Sequence, residues 1–233
     1  MSRRQRLTLY SLFIVLGLAI IAYRLYTGPW RYRRVLSTDP DQTYYLYVPK
    51  RDSPETPLPL FVFVHGTGSS GLPFVETWKK HADAEGFVLL CPTFKRTSYM
   101  HLLDGEDTAL LDIIAEVAQE YPLRDRFFLA GLSGGAQFAH RFAFRHPERL
   151  CGAATHSAGS YDLPAPAANG VPFVVTVGER DTQRLDLARW FADALAQQGY
   201  AVTFTVIPNV GHRLSPQAVE ETLHLFREAC SAR

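Results

Sequence analysis

The residues best suited to chemistry stand at the end of an apolar run. Phe127-Phe128-Leu129-Ala130 leads into Gly131-Leu132-Ser133-Gly134-Gly135 and then into helix-like sequence. A serine between glycines, where a strand turns sharply into a helix, reads as a nucleophile elbow. Such a turn strains the serine backbone and presents its hydroxyl at the start of the helix. Gly131 and Gly135 fit the Gly-x-Ser-x-Gly spacing, because residues without a side chain let strand and helix approach closely. The same five residues also describe an ordinary glycine-rich strand-to-helix turn, so the reading depends on what else the chain supplies.

A serine hydroxyl is a weak nucleophile at neutral pH. It needs a base to take its proton and a carboxylate to hold that base in the right tautomer. With an elbow, the acid and then the histidine should follow the serine in the chain. Val175-Thr176-Val177-Gly178-Glu179-Arg180-Asp181 supplies an acid just past a strand, and Asp181, in Gly-x-x-Asp, lies far enough along the loop to turn inward. Glu179 is its rival. Asp186 and Asp193 fall on the next helix and read as its solvated face. The histidine is His212, on the loop Pro208-Asn209-Val210-Gly211, whereas His224, His140 and His146 fall on helices or their ends and read as packing or surface residues.

Upstream, Leu60-Phe61-Val62-Phe63-Val64 runs into His65-Gly66-Thr67-Gly68-Ser69-Ser70-Gly71. The loop lacks Gly-Lys-Ser/Thr and does not fit the dinucleotide fingerprint. It reads instead as an oxyanion-hole loop, with the backbone N–H of Thr67 paired to that of Gly134, the residue after the serine. The His65 ring then braces the loop. No partner ligands stand at metal-binding spacing around it, so neither a metal nor any other cofactor is expected.

These pieces need a scaffold, and the chain alternates strand and helix regularly from residue 60 onward. Strands that are apolar at every position, such as Leu60–Val64, belong to a parallel sheet covered on both faces. The expected fold class is therefore α/β, a mostly parallel central sheet with helices on both faces and catalytic loops at the C-terminal strand ends. No insertion is long enough for a large cap domain. Residues 31–49 predict a hairpin turning at Asp39-Pro40-Asp41, residues 92–103 an irregular loop bordering the cleft, and His156-Ser157-Ala158-Gly159 a segment that reaches it.

Charge separates the two ends of the chain. Residues 1–34 hold seven arginines and no acid, which leaves 17 basic against 23 acidic residues for the rest, a net of −6. A mildly acidic body argues against nucleic acid as a partner. Leu7 to Tyr23 is a run of 17 uncharged, mostly apolar residues flanked by arginines, and reads as one short membrane helix. A cleaved signal peptide or a twin-arginine signal is the alternative, but no small-x-small site follows the run and Arg6 stands where the twin-arginine pattern has an apolar residue. Expected are an anchor over residues 1–30 and one catalytic domain over 31–233. The arginine balance gives a weak preference for an extracytoplasmic domain, periplasmic in a Gram-negative cell. Cys91, Cys151 and Cys230 show no Cys-x-x-Cys spacing. An oxidising compartment permits one disulfide among them, with the pairing open. Oligomeric state is not encoded in any feature of the sequence.

Together, Tyr45-Leu46-Tyr47-Val48-Pro49, Phe63-Val64-His65-Gly66, Gly131 to Gly135, Gly178-Glu179-Arg180-Asp181 and Gly211-His212 resemble the α/β-hydrolase superfamily. Within it, the likeness is to bacterial polyhydroxybutyrate depolymerase-like and feruloyl esterase-like proteins, from about Thr43 to the C-terminus. The resemblance implies a serine esterase with Ser133 as nucleophile, His212 as base, Asp181 as orienting acid, and Thr67 and Gly134 as oxyanion donors. No substrate-binding module or Thr/Ser-rich linker follows the catalytic domain. A small or medium acyl ester is therefore expected in place of a solid polymer. A peptidase or acyltransferase uses the same set, and a tethered binding protein without turnover is the reading from another class.

Overall fold

The computed structural model describes residues 10, 13–19, 28–50 and 55–230. Eight strands form one sheet: β1 (Arg33–Leu36), β2 (Asp39–Tyr47), β3 (Leu60–Val64), β4 (Val88–Thr93), β5 (Phe127–Leu132), β6 (Leu150–His156), β7 (Phe173–Gly178) and β8 (Val202–Ile207). Their order is β1-β2-β4-β3-β5-β6-β7-β8. The first two strands pair antiparallel, β2 also runs antiparallel to β4, and every pairing from β4 through β8 is parallel. Five helices fill the crossovers and the C-terminal end: α1 (Leu72–Glu85), α2 (Glu106–Glu120), α3 (Gly134–Arg145), α4 (Thr182–Gln197) and α5 (Pro216–Cys230).

Side-chain alternation along the strands sorts the helices into two layers. On β3, Leu60, Val62 and Val64 share a core with Leu110 and Ile113 of α2, Phe138 and Phe142 of α3, and Phe191 of α4. Phe61 and Phe63 point the other way, against Trp78 of α1 and Phe226 of α5. The Phe61 ring lies 4.7 Å from Trp78 and 5.2 Å from Phe128, an aromatic seam under α1 and α5. A strand buried on both faces thus follows directly from five consecutive apolar residues.

Three local expectations need correction. The hairpin reverses at Ser37-Thr38, and Asp39-Pro40-Asp41 lies inside β2, where the register slips between Val35 and Leu36. Proline is tolerated there because a bulge leaves its missing N–H without consequence. Residues 92–103 are only partly irregular: β4 runs through Thr93 and a 3-10 turn spans Thr97–His101. His156 is the last residue of β6 and is buried, so it does not face the cleft. The segment between β6 and β7 contains only a short 3-10 turn, Pro166–Ala168, and no large cap is found among the described residues.

Of the expected membrane helix, Tyr10 and residues 13–19 are described and are helical, and the rest lies outside the described residues. Among the described residues, no helix is long and apolar enough to cross a membrane.

Cys151 at the start of β6 is joined to Cys230 at the end of α5, with Cα atoms 5.4 Å apart, while Cys91 is free and buried. The bridge closes a loop spanning 79 residues that holds both Asp181 and His212. Closure of a loop that long removes unfolded-state entropy worth about 4 kcal/mol. Replacing both cysteines by serine is expected to lower the unfolding free energy by about that amount, as urea melts with and without reductant would measure; coincident melts would mean that no bridge forms.

Candidate active site

The turn after β5 is held by close backbone approaches. A Cβ at Gly131 would lie 2.2 Å from the Gly135 backbone, and one at Gly135 would lie 2.0 Å from the Val64 carbonyl oxygen. No side chain fits at either place, so α3 starts directly against β3 and β5. Ser133 between them has φ 57° and ψ −115°, a conformation that costs an L-residue about 1–3 kcal/mol. Its N–H donates to the His156 carbonyl at 2.8 Å. Gly134 and Gly135 open α3, and the first N–H groups of a helix have no acceptor within it.

The loop after β3 comes against this helix start. A Cβ on Gly134 would meet Tyr99 Oη at 2.5 Å, Thr67 Oγ1 at 2.6 Å and Met100 Sδ at 2.9 Å, so Thr67 and Gly134 are neighbours. Tyr99 donates its hydroxyl to the His65 carbonyl at 2.8 Å, and Thr67 Oγ1 lies 3.2 Å from Met100 Sδ. The buried His65 ring accepts from the Phe94 N–H through Nε2 at 3.0 Å. Its Nδ1–H donates to the Gly66 carbonyl at 2.7 Å. Burial lowers its pKa and keeps it neutral, as a loop brace requires.

Asp181 and His212 meet from the ends of β7 and β8. His212 Nδ1 is 2.7 Å from Asp181 Oδ2, and Arg184 Nη1 donates to Asp181 Oδ1 at 3.0 Å. The carboxylate is nearly buried, with 3% of the side chain exposed against 35% for His212. Burial alone would push the Asp181 carboxyl up. Contacts from His212, Arg184 and Ser157 outweigh that and hold it below the ordinary carboxylate range. The two loops also brace each other. Arg180 N–H donates to the Val210 carbonyl at 2.8 Å, and a Cβ at Gly178 would sit 2.3 Å from that same oxygen. Glu179, the rival acid, is exposed and accepts from the Asn209 N–H at 2.8 Å, fixing the left-handed Asn209 at φ 59°.

Ser133, Thr67, Asp181 and His212 therefore all lie at the C-terminal ends of parallel strands. Among the described residues, however, the Ser133 hydroxyl hydrogen-bonds to no side chain. In sites without substrate this bond is often long and tightens only in the complex. Sequence reasoning placed Tyr99, Met100 and Ser157 in segments expected at the cleft without giving them roles, and it missed Arg184 and Arg141. The Arg141 guanidinium grips Asp162 in bidentate fashion at 2.9 and 2.7 Å and donates to the Met100 carbonyl at 2.6 Å, joining the segment after β6 to the turn after β4. None of these five belongs to a local motif; Arg184 lies three residues from its partner Asp181, and the other four pair across the fold. Among the described residues, no group of three or more His, Cys, Asp or Glu side chains is arranged to hold a metal ion.

No protein-family model matches the chain, and no curated protein matches it. Solved structures do. A thermostable esterase aligns at 22% identity with TM-score 0.66, covering 82% of this chain and 58% of that one. A poly(3-hydroxybutyrate) depolymerase from Bordetella parapertussis aligns at 18% identity with TM-score 0.64, covering 86% and 91%. The chain has the α/β-hydrolase fold. A ferulic acid esterase is similar as well, at 17% identity and TM-score 0.65, covering 79% of this chain and 90% of that one. In this α/β-hydrolase fold Thr67, Ser133, Asp181 and His212 follow β3, β5, β7 and β8, the chain order in which the motifs were read. The chain spans about three-fifths of the length of the thermostable esterase.

Asp181→Asn is expected to slow capture of a fluorophosphonate by Ser133 by about 10⁴-fold, as loss of the orienting acid does elsewhere. Glu179→Gln should leave the rate near wild type. Labelling kinetics of the two variants decide the acid, and the reverse order would assign it to Glu179.

Proposed function

We propose that the protein is a serine carboxylic ester hydrolase that acts through an acyl-enzyme on a small or medium acyl ester. The observation that carries this reading is the 2.7 Å contact between His212 and a buried, ionised Asp181, on the same sheet end as the strained Ser133. Ser133 Oγ attacks the ester carbonyl carbon while His212 Nε2 takes the hydroxyl proton. Nδ1–H stays bonded to Asp181, which fixes the tautomer and stabilises the imidazolium. The carbonyl oxygen becomes an oxyanion facing the Thr67 and Gly134 N–H groups. Collapse expels the alcohol, which receives the proton from His212, and leaves the acyl group on Ser133. Water, deprotonated by His212, then releases the acid.

The similar structures, an esterase, a polyester depolymerase and a ferulic acid esterase, support an ester as the bond attacked. The same residues serve a peptidase or an acyltransferase, and a binding protein without turnover would need none of them. A membrane tether through Leu7 to Tyr23 with an extracytoplasmic domain is the localisation we propose. The Cys151–Cys230 bridge favours an oxidising compartment.

Wild-type protein is expected to take up a fluorophosphonate and to hydrolyse aryl and alkyl esters of graded acyl length, with Ser133→Ala inert and His212→Ala reduced on the order of 10⁶-fold. An unlabelled wild type, or equal labelling of Ser133→Ala, removes the enzyme. Transfer products in place of acid when an alcohol is added would make it an acyltransferase. Asp181, with its lowered pKa, is already ionised on the acid limb of kcat/KM, so that limb should rise with unit slope as one proton leaves the site. A slope of two would mean that Asp181 titrates there as well. Membrane fractionation with a protease-protection assay tests the tether and its side.

A further inference from the structure

Two residues at the end of β6 touch both halves of the site from behind. The His156 carbonyl accepts the Ser133 N–H at 2.8 Å, and the Ser157 N–H donates to the Thr176 carbonyl on β7 at 2.9 Å. The ring of His156 is buried and bonded at both nitrogens, to Thr176 Oγ1 at 2.8 Å and to Thr222 Oγ1 of α5 at 3.2 Å. Thr222 gives its own proton to the Ala218 carbonyl at 2.7 Å. It can therefore only accept from His156, so Nε2 carries the hydrogen and Nδ1 accepts from the Thr176 hydroxyl. Burial pushes the His156 pKa down to about 3, which keeps the ring neutral and this pattern constant.

Ser157, next in the chain, is 2% exposed and has φ 51°, a left-handed conformation that a serine keeps only where its surroundings impose it. Its side chain lies against the Asp181 carboxylate and helps keep it ionised. The other groups near that carboxylate are His212, Arg184 and the buried Tyr161 hydroxyl, which burial pushes up to about 12.

We propose that His156 and Ser157 are positioning residues that set the separation and orientation of Ser133 relative to the Asp181–His212 pair. This rests on the esterase reading of that site. The His156 carbonyl holds the elbow, the Thr176–His156–Thr222 bonds lock β6 to β7 and α5, and the strained Ser157, tied to β7 through its N–H, sets its side chain beside the acid. One dipeptide thus connects the nucleophile to the carboxylate without touching the substrate. Small displacements of such groups have large kinetic effects, since misplacement by about 1 Å can cost about 100-fold.

The test is the rate of fluorophosphonate capture by Ser133 as a function of pH, which needs no knowledge of the natural ester. Ser157→Gly removes the hydroxyl without adding backbone strain, because glycine adopts the left-handed conformation freely. It is expected to slow capture by about 10-fold or more. With fewer donors on Asp181, its charge holds the facing imidazolium more firmly, and the acid limb moves to higher pH. Ser157→Ala should show the same shift. Thr222→Val strands the His156 Nε2–H and should slow capture, whereas Thr222→Ser restores it. Wild-type rate and pH limb in Ser157→Gly, or a slower rate with the limb unmoved, overturn the role of Ser157. Equal rates in Thr222→Val and wild type remove His156 from the device. A wild type that captures no probe overturns the esterase reading and this proposal together, an outcome distinct from the others.

Discussion

The rest of the site depends on how closely the start of α3 lies against the end of β3. At Gly135 the backbone is so near the Val64 carbonyl that a Cβ would be only 2.0 Å from the oxygen. Strand, turn and helix are therefore in direct backbone contact, and Ser133 has nowhere to relax. Nine of the twelve residues of α3 are buried, including Phe138 and Phe142, so the helix cannot shift to relieve the turn. Packing of that extent outweighs the cost of about 1–3 kcal/mol for one strained residue. The strain is thereby converted into direction: the side chain of Ser133 and the first N–H groups of α3 face the same cleft.

A second constraint acts on the opposite side of the cleft, where a carboxylate is removed from water. Burying Asp181 without partners would force it to take up a proton, which would end its interaction with His212. Arg184 on one oxygen and His212 on the other supply what water no longer does. Because the folded-state pKa of Asp181 is depressed, its contribution to stability is present above the unfolded value near 3.9 and is lost as pH falls through the folded value. The turn that carries it depends on Gly178, for the Val210 carbonyl occupies the place of a side chain. Glycine before the acid is thus a packing requirement, as it is around Ser133.

Elements whose signal is local were legible in the sequence. Five apolar residues at Leu60–Val64 read as a doubly covered strand, and the glycines flanking Ser133 pointed to the elbow because their conformational demands are written in their own positions. Chain order did the rest, since acid and histidine fall after successive strands. Less legible was whatever depends on partners distant in sequence. Tyr99 reaches a carbonyl 34 residues away, Arg141 grips a carboxylate 21 residues on, and His156 is joined to a threonine 66 residues later. Side-chain pairings of this kind have no spacing rule. The misplaced hairpin turn has another cause: Asp39-Pro40-Asp41 has the composition of a turn, and a bulge admits the same residues.

The choice among histidines shows what burial adds to a motif. His65, His140 and His156 are all near the elbow in space or sequence, and each is buried with both ring nitrogens engaged. Burial drives the pKa of His140 and of His156 down to about 3, so neither ring can hold a proton at neutral pH. A general base must do the opposite, gaining charge as the serine loses its proton and keeping it long enough to return it. That requires an ionised partner on one nitrogen and an open edge on the other. His212 meets both conditions, with Asp181 on Nδ1 and about a third of its side chain exposed. The surrounding imidazoles are chemically identical to it, and what withholds them from proton transfer is burial with both ring nitrogens already bonded.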